Sequence, residues 1–220
     1  MTKLRTLPEF QDALDKSFAW RIREVSYIRT TAMGSQSFAQ VALLRAGLPL
    51  FYAHWEGFVK QASEIYISYV SAQKIPYHQL SSCFVVFGAK RHLGYLTQSK
   101  SATVNIEAVE FLRASEALAS ILALSTSVNT ESNLSSTVFE NIATSVGVTL
   151  TPYLAYANLI DKTLLDRRNK IAHGEYLELD GDAFASLADD VVKLLRMYKN
   201  DIENLASTKA FLRPAVALAA

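Results

Sequence analysis

The chain of 220 residues contains little cysteine, glycine and proline, and each scarcity excludes a class of protein. Its one cysteine, Cys83, leaves no partner for an intrachain disulfide and excludes zinc sites built from several cysteines. Eight glycines and five prolines are too few for a fibrous or low-complexity chain. We therefore expect a folded protein of a reducing compartment, the cytoplasm, that is held together by its own apolar core.

An excess of charge of one sign and long apolar runs are also absent. The 22 lysines and arginines nearly balance the 21 acidic residues, so the net charge of +1 gives no general attraction to nucleic acid or to a membrane surface. The opening residues MTKLRTLPEFQD lack the apolar stretch of a signal peptide, and no run reaches the roughly 18 apolar residues that span a membrane. We expect no membrane partner, and a nucleic-acid partner would need a local basic cluster.

Apolar residues repeat at intervals of three and four along nearly the whole chain, a pattern typical of helices that bury one face. The pattern predicts a first helix from Pro8 to about Thr31 and a second helical region from Ser37 to about Gln73. Pro49 either kinks this second region or begins a new helix within it. A last helix follows the turn Asp180-Gly181-Asp182 and is expected to end at Pro214.

The segments between these long helices are less regular. The run from Cys83 to Leu96 fits a helix or a buried strand equally well. A helix with Thr151 as its N-cap is expected to continue to about His173, with Gly174 after its end. The remaining expected elements are a helix over Asn105–Ser125, a loop over Thr126–Ser136 and a short helix over Thr137–Val146. The fold class predicted is all-α: residues 1–220 form a single-domain helical bundle with long antiparallel helices.

One segment, DRRNKIAHGE from Asp166 to Glu175, concentrates basic and polar side chains at the predicted end of a helix. The helix dipole favours cations there, and a basic helix end of an interaction protein is one interpretation. Asn169 and His173, four residues apart, share one helix face, and Gly174 lets the chain turn away and leave the imidazole exposed. Histidine exchanges a proton near neutral pH, and arginine binds phosphate oxygens. His173 together with the neighbouring arginines therefore suits phosphodiester cleavage. Because RNA carries its own nucleophile, the 2′-hydroxyl, we expect neither a metal nor a cofactor.

The hexapeptide RNKIAH, Arg168–His173, resembles the R-N-x-x-x-H motif of the HEPN superfamily. The segment LFYAHWEGF, Leu50–Phe58, is similar to the second helix of prokaryotic stand-alone HEPN proteins of the RiboL-PSP-like group. The stretch from Asn133 to Asp161 is similar to the lead-in to the motif in that group. The resemblance extends over about residues 40–205.

This resemblance implies a helical domain that forms a homodimer, with two motifs facing one cleft, and that acts as a metal-independent endoribonuclease. Such proteins serve as toxins of toxin–antitoxin systems or as effectors of phage defence, so RNA and an antitoxin or defence protein are the implied partners. By the same resemblance His173 is the general acid or base, Arg168 binds the scissile phosphate, and Asn169 orients the phosphate or His173. The alternative is a catalytically inactive HEPN-like module that binds RNA or protein.

Several other side chains have two interpretations each. Glu56 either holds Arg168 or His173 in place or belongs to a solvated helix face. Tyr176 either stacks on a nucleobase or packs against the protein. Three cations near the motif either line an RNA groove or are solvated: Lys162, Arg167 and Lys170.

The spacing of Arg168 and His173 sets a geometric problem. Five residues correspond to about 140° around an ideal helix, so the two side chains do not easily meet at one phosphate. They converge if the helix frays near Gly174, or if Arg168 of one chain meets His173 of another. The second possibility is our hypothesis of a composite site across a two-fold axis.

Overall fold

The computed structural model describes residues 4–114, 128 and 133–214. Within these ranges the regular structure is helical and no strand is formed, although an isolated β-bridge joins Leu80 to Leu212. The all-α prediction is confirmed. The α-helices are α1 (Leu7–Gly34), α2 (Ser37–Ala72), α3 (Ser82–Gln98), α4 (Ala102–Ala114), α5 (Ser136–Ser145), α6 (Arg167–Ala172) and α7 (Gly181–Ser207). Shorter stretches are 3-10 turns over Tyr77–Gln79 and Thr151–Tyr156 and a π-helical segment over Leu159–Asp166.

Helices α1 and α2 form an antiparallel hairpin joined by two residues, 35 and 36. Phe10 at the start of α1 packs on Tyr69 near the end of α2, with ring centroids 5.1 Å apart. Further along, the rings of Phe18 and Phe58 lie 5.8 Å apart. The short connection leaves no room for another arrangement, because adjacent helices joined this closely must run in opposite directions.

Helix α7 covers the same hairpin and runs parallel to α2. Its first turns place Phe184 against Phe51 with ring centroids 4.7 Å apart, and two turns before its end Tyr198 shares a 2.6 Å hydrogen bond with Ser63. The buried core therefore lies among α1, α2 and α7, and α1 is antiparallel to both of its neighbours. One flank of α2 remains for contact with α6, which positions the motif.

Two ambiguous segments are resolved as helix. Pro49 lies inside α2, which continues from Ser37 to Ala72 without a new beginning. The run from Cys83 to Leu96 belongs to α3 and is not a strand. The helix expected over 105–125 begins at residue 102 and is described up to 114; its remainder and most of the loop over 126–136 lie outside the described residues.

The chain is helical from Thr151 to Ala172 as expected, but its hydrogen-bond spacing passes from a 3-10 turn through the π-helical segment to α6. Two expectations about helix ends are wrong. Thr151 is not an N-cap, because the 3-10 turn already includes it and begins after Leu150 without a side-chain cap. Helix α7 ends at residue 207, well before Pro214, because Lys209 adopts a left-handed conformation at φ +55°.

Candidate functional site

The motif occupies α6 and the turn that follows it. His173 is the C-cap of α6 and its side chain is exposed. Gly174 has φ +80°, and the amide of Glu175 donates to the carbonyl of Lys170 at 2.9 Å. This pair of features turns the chain sharply away from the helix, since the left-handed conformation is accessible to glycine without strain. The expected exposed imidazole at a helix end is therefore present.

Asn169 and His173 lie one above the other on α6. The amide of His173 donates to the carbonyl of Asn169 at 2.9 Å, the bond of a regular α-helical turn. The side-chain oxygen of Asn169 accepts a 2.8 Å hydrogen bond from Nη1 of Arg168. Asn169 thus contacts Arg168 through its side chain and His173 through its backbone.

The guanidinium of Arg168 is held from several sides. Its Cζ lies 4.2 Å from the centroid of the Tyr52 ring on α2. Its Nη2 is 4.0 Å from Oε2 of Glu56, one turn further along α2, and both side chains are about one-fifth exposed. Of the two interpretations of Glu56, the structure shows the carboxylate beside Arg168. A cation over an aromatic face and beside a partly buried carboxylate loses orientational freedom but keeps its charge.

Tyr52 connects this arginine to the segment before α5. Its hydroxyl accepts a 2.5 Å hydrogen bond from the amide of Leu134, and burial raises the pKa of the Tyr52 phenol. Two residues on, Ser136 donates from its amide and its hydroxyl to the carboxylate of Asp161, at 2.7 and 2.6 Å. The start of α5, the π-helical segment and α2 are therefore joined by hydrogen bonds around the base of the motif.

The three candidate RNA-binding cations have different surroundings. Lys162 is exposed and lies 3.2 Å from Asp166, an ion pair of the solvated kind that contributes little to stability. Arg167 is half-buried, and Lys170 is exposed next to the motif. Their positions on the π-helical segment and α6 give the motif a positive border.

Two residues of α2 that contact the motif region were not identified by sequence reasoning. Tyr52 and Arg45 lie seven residues apart on the flank of α2 that contacts the motif region, with Glu56 four residues beyond Tyr52. Nη2 of Arg45 donates to the carbonyl of Glu175 at 3.1 Å. A hint was present, because Arg45 is the only lysine, arginine or acidic residue between residues 37 and 55.

Among the described residues, no cluster of three or more histidine, cysteine or acidic side chains is arranged to hold a metal ion. In the same part of the chain, every helix is too short or too polar to cross a membrane.

Comparison with families of known proteins gives one match across most of the chain. Residues 10–211 match the model of the family described as HEPN_MAE_28990-like HEPN. Neither the curated proteins nor the solved structures include a match to this chain.

Proposed function

The chain belongs to the HEPN_MAE_28990-like HEPN family, and from this premise we propose that it is a metal-independent endoribonuclease. The observation that carries the proposal is an exposed imidazole, His173, five residues after a guanidinium that Tyr52 and Glu56 hold in a fixed orientation. A proton carrier and a fixed positive charge are the two groups that phosphodiester cleavage by an internal hydroxyl requires.

In the proposed reaction the 2′-oxygen of one nucleotide attacks the adjacent phosphorus, and the bond from phosphorus to the 5′-oxygen breaks. His173 accepts the proton of the 2′-hydroxyl or donates a proton to the leaving 5′-oxygen, which leaves a 2′,3′-cyclic phosphate and a 5′-hydroxyl. Arg168 neutralises the charge that develops on the phosphate oxygens, and Asn169 keeps Arg168 in position. The carboxylate of Glu56, beside the same guanidinium, also helps to hold it in position.

The active form we propose is a homodimer with composite sites. Each site combines Arg168 of one chain with His173 of the other, which removes the angular mismatch between these residues on α6. Lys162, Arg167 and Lys170 then contribute phosphate contacts along the cleft.

A free endoribonuclease damages the cell that makes it, so we propose that the protein works as a toxin or phage-defence effector under the control of an antitoxin or defence partner. The narrower resemblance to the RiboL-PSP-like group stays a prediction. Expression of the wild-type chain is expected to slow bacterial growth, and His173→Ala is expected to abolish this effect.

The direct experiment incubates the purified protein with total RNA and with a synthetic single-stranded RNA, in EDTA and in magnesium. Wild-type protein is expected to cleave in both buffers and to leave 2′,3′-cyclic phosphate ends. His173→Ala and Arg168→Ala are expected to lower kcat/KM at least ~100-fold, since each removes a group that acts in the transition state. His78→Ala is the matched control, because His78 is exposed on a separate 3-10 turn. Binding of RNA without cleavage in either buffer would favour the inactive RNA-binding module instead.

A further inference from the structure

We propose that Tyr176, with the guanidinium of Arg45 behind its ring, is a stacking site for an unpaired nucleobase next to the scissile phosphate. This inference rests on the proposed function and names a subsite of its substrate. Its basis is the position of an exposed aromatic ring three residues after His173, on a stretch of chain that the protein holds in place.

The ring of Tyr176 does not pack into the core. It is 76 % exposed, so of the two alternatives that the sequence left open, packing against the protein does not apply to most of the ring. Arg45 lies against it, with Cζ 5.3 Å from the ring centroid. The guanidinium supports one side of the ring, and the exposed remainder offers a flat apolar surface to a base.

The backbone that carries Tyr176 is fixed by several bonds. Gly174 and Glu175 close the end of α6 through their amides, which donate to carbonyls at 3.0 and 2.9 Å. Arg45 adds a 3.1 Å bond to the carbonyl of Glu175, immediately before the tyrosine. A ring that is already in place loses little conformational freedom when a base stacks on it, so more of the contact energy remains for binding.

The charges around Tyr176 favour a base over a phosphate. Glu175 and Glu178 are exposed on either side of it, and their carboxylates repel the RNA backbone. Lys170 and Arg167, on α6 before His173, attract the backbone. Phosphate on the α6 side and base on the Tyr176 side would place the scissile bond near His173, between the two.

The test measures binding without cleavage. In a His173→Ala background, the Kd of a fluorescein-labelled single-stranded RNA is measured by anisotropy, together with the same RNA carrying a single abasic nucleotide at each position in turn. Tyr176→Ala is expected to raise the Kd about 10-fold and Tyr176→Phe less than about twofold, because stacking needs the ring and not the hydroxyl. With the abasic nucleotide at one particular position, the tyrosine and alanine proteins are expected to bind equally well.

Tyr27→Ala is the matched control, because Tyr27 is 72 % exposed on α1. Its replacement removes a similar area of exposed aromatic surface away from the motif. The stacking site is overturned if Tyr176→Ala leaves the Kd unchanged, if Tyr176→Phe is as weak as Tyr176→Ala, or if no abasic position removes the difference. It is also overturned if Tyr176→Ala changes the oligomeric mass in light scattering, since the ring would then be a subunit contact. Failure of the proposed function shows separately, as wild-type protein that binds RNA at Tyr176 but does not cleave it.

Discussion

The ring and the hydroxyl of Tyr52 make separate contacts. Its ring lies against Arg168, and its hydroxyl accepts the buried amide of Leu134. Tyr52→Phe keeps the ring and leaves that amide without an acceptor, so we expect the free energy of unfolding to fall by about 1–3 kcal/mol. Urea denaturation followed by circular dichroism measures the change, and Tyr27→Phe at an exposed position is expected to stay within about 0.5 kcal/mol of wild type. If the Tyr52→Phe protein is as stable as wild type, this bond contributes nothing to folding.

His54 gives a second prediction at the scale of one residue. Its side chain is only 4 % exposed, with Nε2 2.8 Å from Oε2 of Glu24 and with Arg21 and Trp20 beside it on α1. Burial lowers the pKa of His54 below its ordinary value of 6.5, and this effect exceeds the opposing attraction of Glu24. Between the two pKa values the unfolded chain binds more protons than the folded one, so stability is present above pH 6.5 and falls as the pH falls through this window.

The measurement for His54 is the free energy of unfolding in urea at about pH 7.5 and about pH 5.5, on either side of its unfolded pKa. We expect the wild-type protein to lose more stability over this interval than His54→Gln, which has no proton to bind. The carboxylates away from His54 have the same surroundings in both proteins, so their contribution cancels in the comparison. An equal loss in the two proteins would mean that protonation of His54 does not affect folding.

At the scale of the element, the end of α6 depends on one backbone conformation. Gly174 has φ +80° and no atom within 4 Å of where a Cβ would lie, so Gly174→Ala meets backbone strain without a clash. We expect a loss of about 1–2 kcal/mol in the free energy of unfolding. Gly34→Ala is the control, because Gly34 also has open space but lies in α1 without a positive φ, and alanine there is expected to be neutral or stabilising. Equal losses of stability for the two substitutions would contradict the claim that the positive φ of Gly174 requires glycine.

The meeting point of the three long helices depends on a different property of glycine, its size. A Cβ at Gly47 on α2 would lie 2.6 Å from Cζ of Phe184 on α7 and 2.8 Å from Cγ2 of Ile28 on α1. Gly47→Ala is therefore expected to lower the free energy of unfolding by about 1–3 kcal/mol, in spite of the better helix propensity of alanine. Differential scanning calorimetry tests this as a lower Tm, and the double variant with Phe184→Leu is expected to recover part of the loss.

The long helices were predictable from the sequence because their periodicity extends over many turns. The start of α1 is fixed locally, since the amide of Glu9 donates to the hydroxyl of Thr6 and the carboxylate of Glu9 accepts the amide of Thr6. The region from Thr151 to His173 was predicted as helical, but its hydrogen-bond spacing was not predictable, because it changes from 3-10 to π to α within some twenty residues. A pattern of apolar residues does not distinguish these spacings over one or two turns.

At the scale of the whole molecule, the candidate site also has a part that was predictable from the sequence and a part that was not. Arg168, Asn169 and His173 are contiguous enough to be recognised as a motif. The contact of Arg168 with Tyr52 and that of Glu175 with Arg45 join residues more than a hundred positions apart, and depend on which flank of α2 remains open once α1 and α7 have packed. That α7 runs parallel to α2 is likewise a result of tertiary packing, which local spacing does not report.

The last prediction concerns the composite site and belongs to the assembly. Arg168→Ala and His173→Ala chains are each expected to be inactive alone. When they are mixed, unfolded and refolded together, half of the dimers contain one chain of each kind. In such a dimer one site lacks both groups, whereas the other combines an intact Arg168 with an intact His173 of the other chain.

The mixture should therefore recover about one quarter of wild-type activity, from half of the dimers with one of two sites intact. Cleavage of a labelled RNA under single-turnover conditions measures this fraction, and light scattering checks that the refolded protein is dimeric. If Arg168 and His173 act within one chain, every site in every dimer lacks one of them, and the mixture stays as inactive as either variant. The composite arrangement thus predicts about one quarter of wild-type activity in the mixture, and the single-chain arrangement predicts none. This difference decides whether the exposed imidazole at the end of α6 acts with the Arg168 of its own chain or with that of its partner.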